Sequence, residues 1–186
     1  YVIGTKYNGH PNACVANSVI QISSSDPEKV LIALTKDTHS CTAIRENGIF
    51  TISVLSTDTP ASVIGALGLV SGKNADKLKN IRHKVLIEGV PVVKENTCCW
   101  FLCKVISGMD VGQEMVFAAE IIAGSDSAIG TPMTYDFYRS EMHGLSPVGS
   151  PTYVPPESTF DKSSGESFVC SVCDYVYSDP NFSFEE

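Results

Sequence analysis

The sequence is poor in charged residues, and above all in basic ones. Only 18% of its 186 residues are charged, and 13 Lys and Arg are outnumbered by 21 Asp and Glu, which gives a formal net charge of −8. A protein that binds nucleic acid needs a basic surface. The densest basic stretch, KLKNIRHK at 77–84, is interpreted as a solvated face. The composition therefore argues against a nucleic-acid partner.

Long apolar runs and a secretion signal are also missing. No run reaches the roughly 18 residues of a membrane-spanning helix, and the first residues lack a signal-peptide pattern. Hydrophobic residues still make up 43% of the sequence, enough for one core of ordinary size. We therefore expect a globular, cytoplasmic protein. Because the first residue is not methionine, we also expect the native chain to begin earlier.

Several enzyme motifs are absent. The four histidines are scattered, and no pair has the spacing of metal ligands. No Ser-His-Asp or Cys-His arrangement has a supporting local sequence, and neither a dinucleotide glycine fingerprint nor a Gly-Lys-Ser phosphate loop occurs. The sequence therefore predicts neither a hydrolase nor a nucleotide site of those two kinds.

The seven cysteines fall into two groups. An odd number without a secretion signal argues against a disulfide framework and for a reducing compartment. Cys170 and Cys173 form a Cys-x-x-Cys motif in a polar, aromatic tail. The other five lie in apolar contexts, where cysteine acts as a small hydrophobe: Cys14, Cys41, Cys98, Cys99 and Cys103.

Short apolar runs predict a mostly β protein. Residues 30–34 are interpreted as a strand buried on both faces, and residues 97–106 and 114–123 as a long hairpin. The TCCWFLC segment of that hairpin is apolar on both faces, so it needs an inner and an outer cover, and a second subunit would serve as the outer one. Only two helices are predicted, one at 41–46 capped by Ser40 and one that starts at Pro60. This combination indicates a small β-barrel.

Polar side chains collect on two loops within residues 12–56. Hydroxyls, helix-start amides and one cation hold a phosphate well. Polar loops are also common, so composition alone favours an ordinary exposed surface. The set comprises Asn17, Ser18, Gln21, Ser23 and Ser24, then Lys36, Thr38, His39 and Ser40.

An ordered series of segments resembles the flavin reductase-like family of FMN-binding split β-barrels. The series runs through ANSVIQIS, Lys36-x-Thr38-His39, GIFTISVLS, DTPASVIGALGLVSGKNADK, GVPVV and PMTY, and covers nearly all of residues 1–144. The resemblance implies a mostly β split barrel in residues 1–145. It also implies a homodimer with the flavin close to the subunit interface.

The resemblance further implies a flavin site made of two groups of residues. Asn17, Ser18 and Val19 would lie along the flavin, and Gln21 and Ser23 would reach its ribityl or phosphate end. Lys36, Thr38 and His39 would lie near the phosphate. Relatives often carry Gly-Asp-His or Gly-Thr-His where this chain has Gly112-Gln113-Glu114, and a later glycine where it has Ala119. That histidine is associated with the nicotinamide or flavin-edge side, so the departure bears on NAD(P)H use more than on FMN binding.

The tail resembles the first iron knuckle of rubredoxin. Residues 146–166 are rich in Pro, Ser and Gly and predict a linker, and residues 167–186 contain FVCSVCDYVYSDP. Cys170 and Cys173 would supply half of a tetrahedral iron–sulfur ligand set. The second half, usually Cys-Pro-x-Cys-Gly, is absent from this sequence. The segment is therefore either a disordered tail or half of a rubredoxin domain that a longer native chain completes.

Together the two parts resemble the high-molecular-weight rubredoxins. The implied path runs from NAD(P)H through FMN to iron, and then to a partner such as a flavodiiron protein. One alternative is a non-catalytic FMN-binding carrier that another protein reduces. A second is a split-barrel interaction protein without a cofactor, in which the polar set is merely exposed.

Overall fold

The computed structural model describes residues 1–72, 75–147, 150, 152 and 153, and the backbone of two short strands at 168–169 and 176–177. Seven strands form one antiparallel sheet in the order β2-β1-β5-β8-β9-β4-β3. Among the described residues, no helix is long and apolar enough to cross a membrane. The elements are β1 (Val2–Tyr7), β2 (His10–Val15), β3 (Val19–Ser23), β4 (Lys29–Thr35), α1 (His39–Asn47), β5 (Ile49–Leu55), α2 (Ala61–Gly68), β6 (His83–Val85), β7 (Pro91–Val93), β8 (Thr97–Asp110), β9 (Glu114–Gly124), α3 (Tyr135–Ser140), β10 (Phe168–Val169) and β11 (Val176–Tyr177).

The sheet curls into a barrel that stays open between β2 and β3. These two strands are the edges of the sheet, although only residues 16–18 join them along the chain. The break follows the imperfect alternation of residues 13–23, which the sequence leaves as one strand or as two pieces meeting at a bend. The second interpretation is correct. The predicted mostly β split barrel is confirmed.

Two apolar clusters fill the fold. One occupies the barrel interior, where the inward residues of the large sheet meet α1, and the other lies beneath α2 and beside β7. The first contains Ile3, Val30, Ile32, Leu34, Cys41, Ile44, Phe50, Ile52, Cys103, Phe117 and Ala119. The second contains Val2, Ala13, Leu55, Val63, Ile64, Leu67, Leu78, Ile81 and Val93.

The β8–β9 hairpin is longer than the sequence predicts. It extends β8 to Asp110, and two register shifts on β8 accompany this length. The hairpin tip therefore reaches the end of β4, where Glu114 pairs with Thr35 and the amide of Lys36 donates to the carbonyl of Gln113 at 3.0 Å.

Two local predictions are wrong. In β4, Val30 and Leu34 are buried but Leu31 is half-buried, so the strand is not covered on both faces by the chain alone. Helix α1 is capped by Thr38 and not by Ser40: the hydroxyl of Thr38 accepts a hydrogen bond of 3.2 Å from the amide of Cys41. Both residues carry a hydroxyl, so the local pattern does not separate caps two positions apart.

Candidate functional site

The first predicted group of site residues lies on β3 and just before it, and the second group follows β4, the strand that pairs with β3. Residues 16–18 lead into β3, the edge strand beside β4. The carbonyl of Ser18 accepts a hydrogen bond of 3.1 Å from the amide of Ala33, near the end of β4. Since Lys36 follows β4 directly, Asn17 and Ser18 lie at the same end of the strand pair as Lys36. The structure brings these three residues to one region.

Gln21 and Ser23 lie elsewhere. Both are on β3, and Ser23 pairs with Lys29 at the start of β4, whereas Lys36 follows its end. At about 3.3 Å per residue, the length of β4 separates Ser23 from Lys36 by roughly 20 Å. Within one chain these two residues therefore do not share one phosphate with Lys36. Val19, between the two regions, is half-buried and packs against the barrel cluster.

Asn17 contacts the start of the predicted linker. Its side-chain amide donates a hydrogen bond of 2.6 Å to the hydroxyl of Thr152, and its carbonyl oxygen accepts one of 3.2 Å from the hydroxyl of Ser18. The hydroxyls of Ser146 and Thr152 lie 3.3 Å apart, and the hydroxyl of Ser146 lies 2.8 Å from that of Tyr135. A chain of polar contacts thus joins the predicted flavin residues to the aromatic segment of α3.

Lys36 holds an anion in this structure, the carboxylate of Asp110. The ammonium nitrogen lies 2.6 Å from Oδ2 of Asp110, at the tip of the β8–β9 hairpin. The hydrogen bond from Lys36, followed by one from the amide of Gly112, lowers the pKa of Asp110 below its ordinary value. The ionised carboxylate of Asp110 would therefore compete with a phosphate for the ammonium group of Lys36.

Thr38 and His39 lie at the start of α1, two and three positions after Lys36. The hydroxyl of Thr38 caps the helix by accepting from the amide of Cys41, and it donates a hydrogen bond of 2.7 Å to the carbonyl of Thr35. The ring of His39 packs edge-on against Tyr7 with 4.1 Å between centroids. His39 also lines a cavity on the side of the β1–β2 turn, and Lys36 does not line that cavity. The flavin roles of all eight predicted residues stay predictions.

Sequence reasoning missed two partners of the site. Asp110 stands at the predicted hairpin, but its ion pair with Lys36 depends on the length of that hairpin. Thr152 lies inside a segment that composition marks only as linker, and no local signal points to Asn17. The sequence predicts either packing or ligand contact for the aromatic residues within 132–138. In the structure Met133 and Tyr138 pack on the second apolar cluster, while Tyr135 is exposed.

Metal ligation is not provided by the described part of the chain. Within it, no group of three His, Cys, Asp or Glu could hold a metal ion. Burial raises the pKa of the Cys103 thiol to about 12, in keeping with its predicted role as a small hydrophobe. The predicted iron ligands Cys170 and Cys173 lie outside the described residues. The antiparallel strands β10 and β11 come directly before and after the segment that contains them.

The chain belongs to the flavin reductase like domain family, whose profile matches residues 1–146. Its class is therefore that of flavin-linked oxidoreductases. The chain is 31% identical over 178 residues to a high molecular weight rubredoxin of Moorella thermoacetica, a match that covers 95% of this chain and 77% of the relative.

Two further comparisons agree with this class. A ferric-chelate reductase (NAD(P)H) of Archaeoglobus fulgidus is 28% identical over 153 residues, covering 82% of this chain and 90% of the relative. A flavin reductase domain protein of Arthrobacter has a similar solved structure, with a TM-score of 0.62 and 20% identity over 70% of this chain and 78% of that one. At that identity the likeness concerns the fold.

Proposed function

We propose that this protein is an FMN-dependent electron-transfer oxidoreductase that accepts electrons from NAD(P)H and passes them to a rubredoxin-type iron centre. The observation that supports the proposal is the share of this chain that matches the Moorella rubredoxin. It covers 95% of the chain, and Cys173 lies more than a dozen residues before the last residue. The matched stretch therefore includes the tail motif as well as the barrel.

FMN would lie at the end of the β3–β4 pair. When bound, it supplies the hydride and one-electron chemistry. Lys36 would neutralise phosphate charge, and its pairing with Asp110 demonstrates that the ammonium can hold an oxyanion at this place. Asn17 offers a side-chain N–H and Ser18 a hydroxyl, both only partly exposed, to fix the orientation of the flavin.

The tail would carry the second redox centre. Cys170 and Cys173 would provide two of the four thiolates of a rubredoxin iron site, and a complete site requires two further thiolates. The three segments 1–145, 146–166 and 167–186 would act as flavin domain, linker and iron module. A flavodiiron-like protein would be the acceptor. The cytoplasm would be the compartment, since seven cysteines without a secretion signal suit a reducing environment.

A homodimer would complete the flavin site. Large apolar side chains stay exposed on β3, β8 and β9: Ile20, Ile22, Ile106, Met109 and Ile122. Ile20 is 62% exposed and Met109 59% exposed, and an apolar surface of this kind marks a contact with another protein. Met109 lies toward the Lys36 end of β4, because its partner Val116 pairs with Ala33, so a second copy seated over Met109 would shield the flavin. Sedimentation analysis of the wild type and of Met109→Lys tests this, and a wild-type monomer at micromolar concentration would contradict it.

FMN titration tests the proposal. We expect flavin fluorescence to be quenched with one FMN per chain, and anaerobic NADH to bleach the flavin absorption band of the complex. A protein that leaves FMN fluorescence unchanged up to high micromolar concentrations would refute flavin binding.

The second candidate function is a carrier that another protein reduces. The observation in its favour is Glu114, which pairs with Thr35 beside Lys36. The family resemblance implies that this position would otherwise carry the histidine of the long hairpin. A carboxylate at that place repels a negatively charged nicotinamide nucleotide. If FMN binds but NADH does not bleach it, the carrier is the correct assignment. Restoration of bleaching in Glu114→His would identify the hairpin as the cause.

A further inference from the structure

A second surface of the barrel carries an open cavity of about 830 Å³. It lies between the β1–β2 turn, the start of α1 and the loop that leads into β6. This volume is within the range of sites that hold small molecules. The titratable side chains of its wall, other than that of Tyr7, are His10, His39, Asp76, Lys77, Lys79 and His83.

The wall is basic in a chain that is acidic as a whole. The wall contains two lysines, three histidines and one carboxylate, that of Asp76. The Oδ1 atom of Asp76 already accepts a hydrogen bond of 3.1 Å from the amide of Leu78. Within the described residues, the lysines that form ion pairs are Lys29 and Lys36. The two lysines of the cavity therefore have no carboxylate partner there, in a protein with a net charge of −8.

The side chain of one of these lysines is partly removed from solvent. Lys77 is half-buried, and burial lowers the pKa of its ammonium group below the ordinary value. A desolvated cation without a counter-ion is costly, and an anion that enters the cavity offsets that cost. The positive end of α1 adds to the same field through its first residue, His39.

We propose that this cavity binds a phosphate-bearing small molecule of nucleotide size, at a site separate from the flavin. Of the eight predicted flavin residues, the wall contains His39 alone, and the ring of His39 packs against Tyr7 on the cavity side. The mixture of ammonium and imidazole groups suits a phosphate, which carries more charge and more acceptor oxygens than a carboxylate. The proposal stands independently of the proposed function, because none of its supporting contacts involves a flavin.

The four histidines of the chain provide the test, because three line the cavity and the fourth, His143, does not. Imidazole C–H signals would be followed by NMR in the full-length protein saturated with FMN. The protein would be titrated with inorganic phosphate, AMP and adenosine at constant ionic strength. We expect phosphate and AMP to shift the signals of His10, His39 and His83 along one saturation curve, while His143 and the adenosine titration stay flat.

Two sets of lysine variants test whether AMP binds in the cavity. Lys77→Met with Lys79→Met should weaken AMP binding at least tenfold while thermal unfolding and FMN affinity stay as in the wild type. The matched control is Lys84→Met, which removes an exposed lysine that does not line the cavity.

The proposal is overturned if no saturable shift occurs, if adenosine acts like AMP, or if Lys84→Met weakens binding equally. It is also overturned if phosphate shifts the histidines only in flavin-free protein, because the cavity would then be the flavin phosphate site. Failure of FMN to bind would refute the proposed function alone, since the same titration can be run without it.

Discussion

The side-chain amide of Asn17 donates a hydrogen bond of 2.6 Å to the hydroxyl of Thr152, 135 positions later in the chain. One partner is the first residue of the predicted flavin site, and the other belongs to the segment predicted to be a linker. The contact anchors the start of that linker beside the proposed flavin. Cys170 follows Thr152 by 18 residues in the sequence.

Replacing Thr152 tests whether the linker and the flavin compete for Asn17. The variant Thr152→Val removes the acceptor, and a neutral hydrogen bond contributes about 1 kcal/mol net. FMN affinity should therefore rise about fivefold, measured by fluorescence titration. The matched control is Thr152→Ser, which keeps the hydroxyl and should bind FMN like the wild type. A weaker affinity in Thr152→Val would mean that the linker forms part of the flavin site.

Replacing Lys36 tests the phosphate contact. A charge-assisted hydrogen bond contributes about 1.5–3 kcal/mol, so Lys36→Met should weaken FMN binding by about 10- to 100-fold. Riboflavin has no phosphate and should bind both proteins equally. Asp110→Asn should strengthen FMN binding, because the competing carboxylate is gone. Equal losses for FMN and riboflavin in Lys36→Met would exclude a phosphate contact.

Local sequence rules predicted most of the fold. The Asn8-Gly9 turn, with positive φ at both residues, and the left-handed Gly48 after α1 follow from what each residue tolerates. Short apolar runs predicted β4 and the β8–β9 hairpin. The covering of β4 could not be predicted, because it depends on which surfaces meet in three dimensions.

The site was less predictable than the fold. Resemblance to a family supplied its residues, and the register of β3 against β4 then separated Ser23 from Lys36. The contacts that now distinguish the region, Lys36 with Asp110 and Asn17 with Thr152, join positions 74 and 135 apart. No periodicity or local motif connects residues at such distances along the chain.

The cap of α1 gives a stability test. Thr38→Ala removes the hydroxyl that accepts from the amide of Cys41, and a lost cap costs about 1 kcal/mol. Urea denaturation should report that loss, and Thr38→Ser should restore the wild-type midpoint. An unchanged midpoint in Thr38→Ala would mean that the helix start is capped in another way.

Gly4 tests the packing of β1 against β7. A Cβ at Gly4 would meet the backbone carbonyl oxygen of Pro91, which cannot move aside like a side chain. Overpacking of this kind costs about 1–3 kcal/mol, so Gly4→Ala should lower the free energy of unfolding by at least that much. In α2, Gly65 has no atom within 4 Å of such a Cβ, and Gly65→Ala should stabilise by about 0.5–1 kcal/mol. Equal effects of the two substitutions would contradict this packing.

The visible spectrum of the full-length native protein during anaerobic NADH addition tests the central claim most directly, because it reports flavin and iron–thiolate absorption together. We predict one FMN and one iron per chain, with the flavin band bleaching first and the iron–thiolate bands following. A protein that binds neither FMN nor iron, or whose iron is reduced while its flavin stays oxidised throughout, would contradict the proposed path.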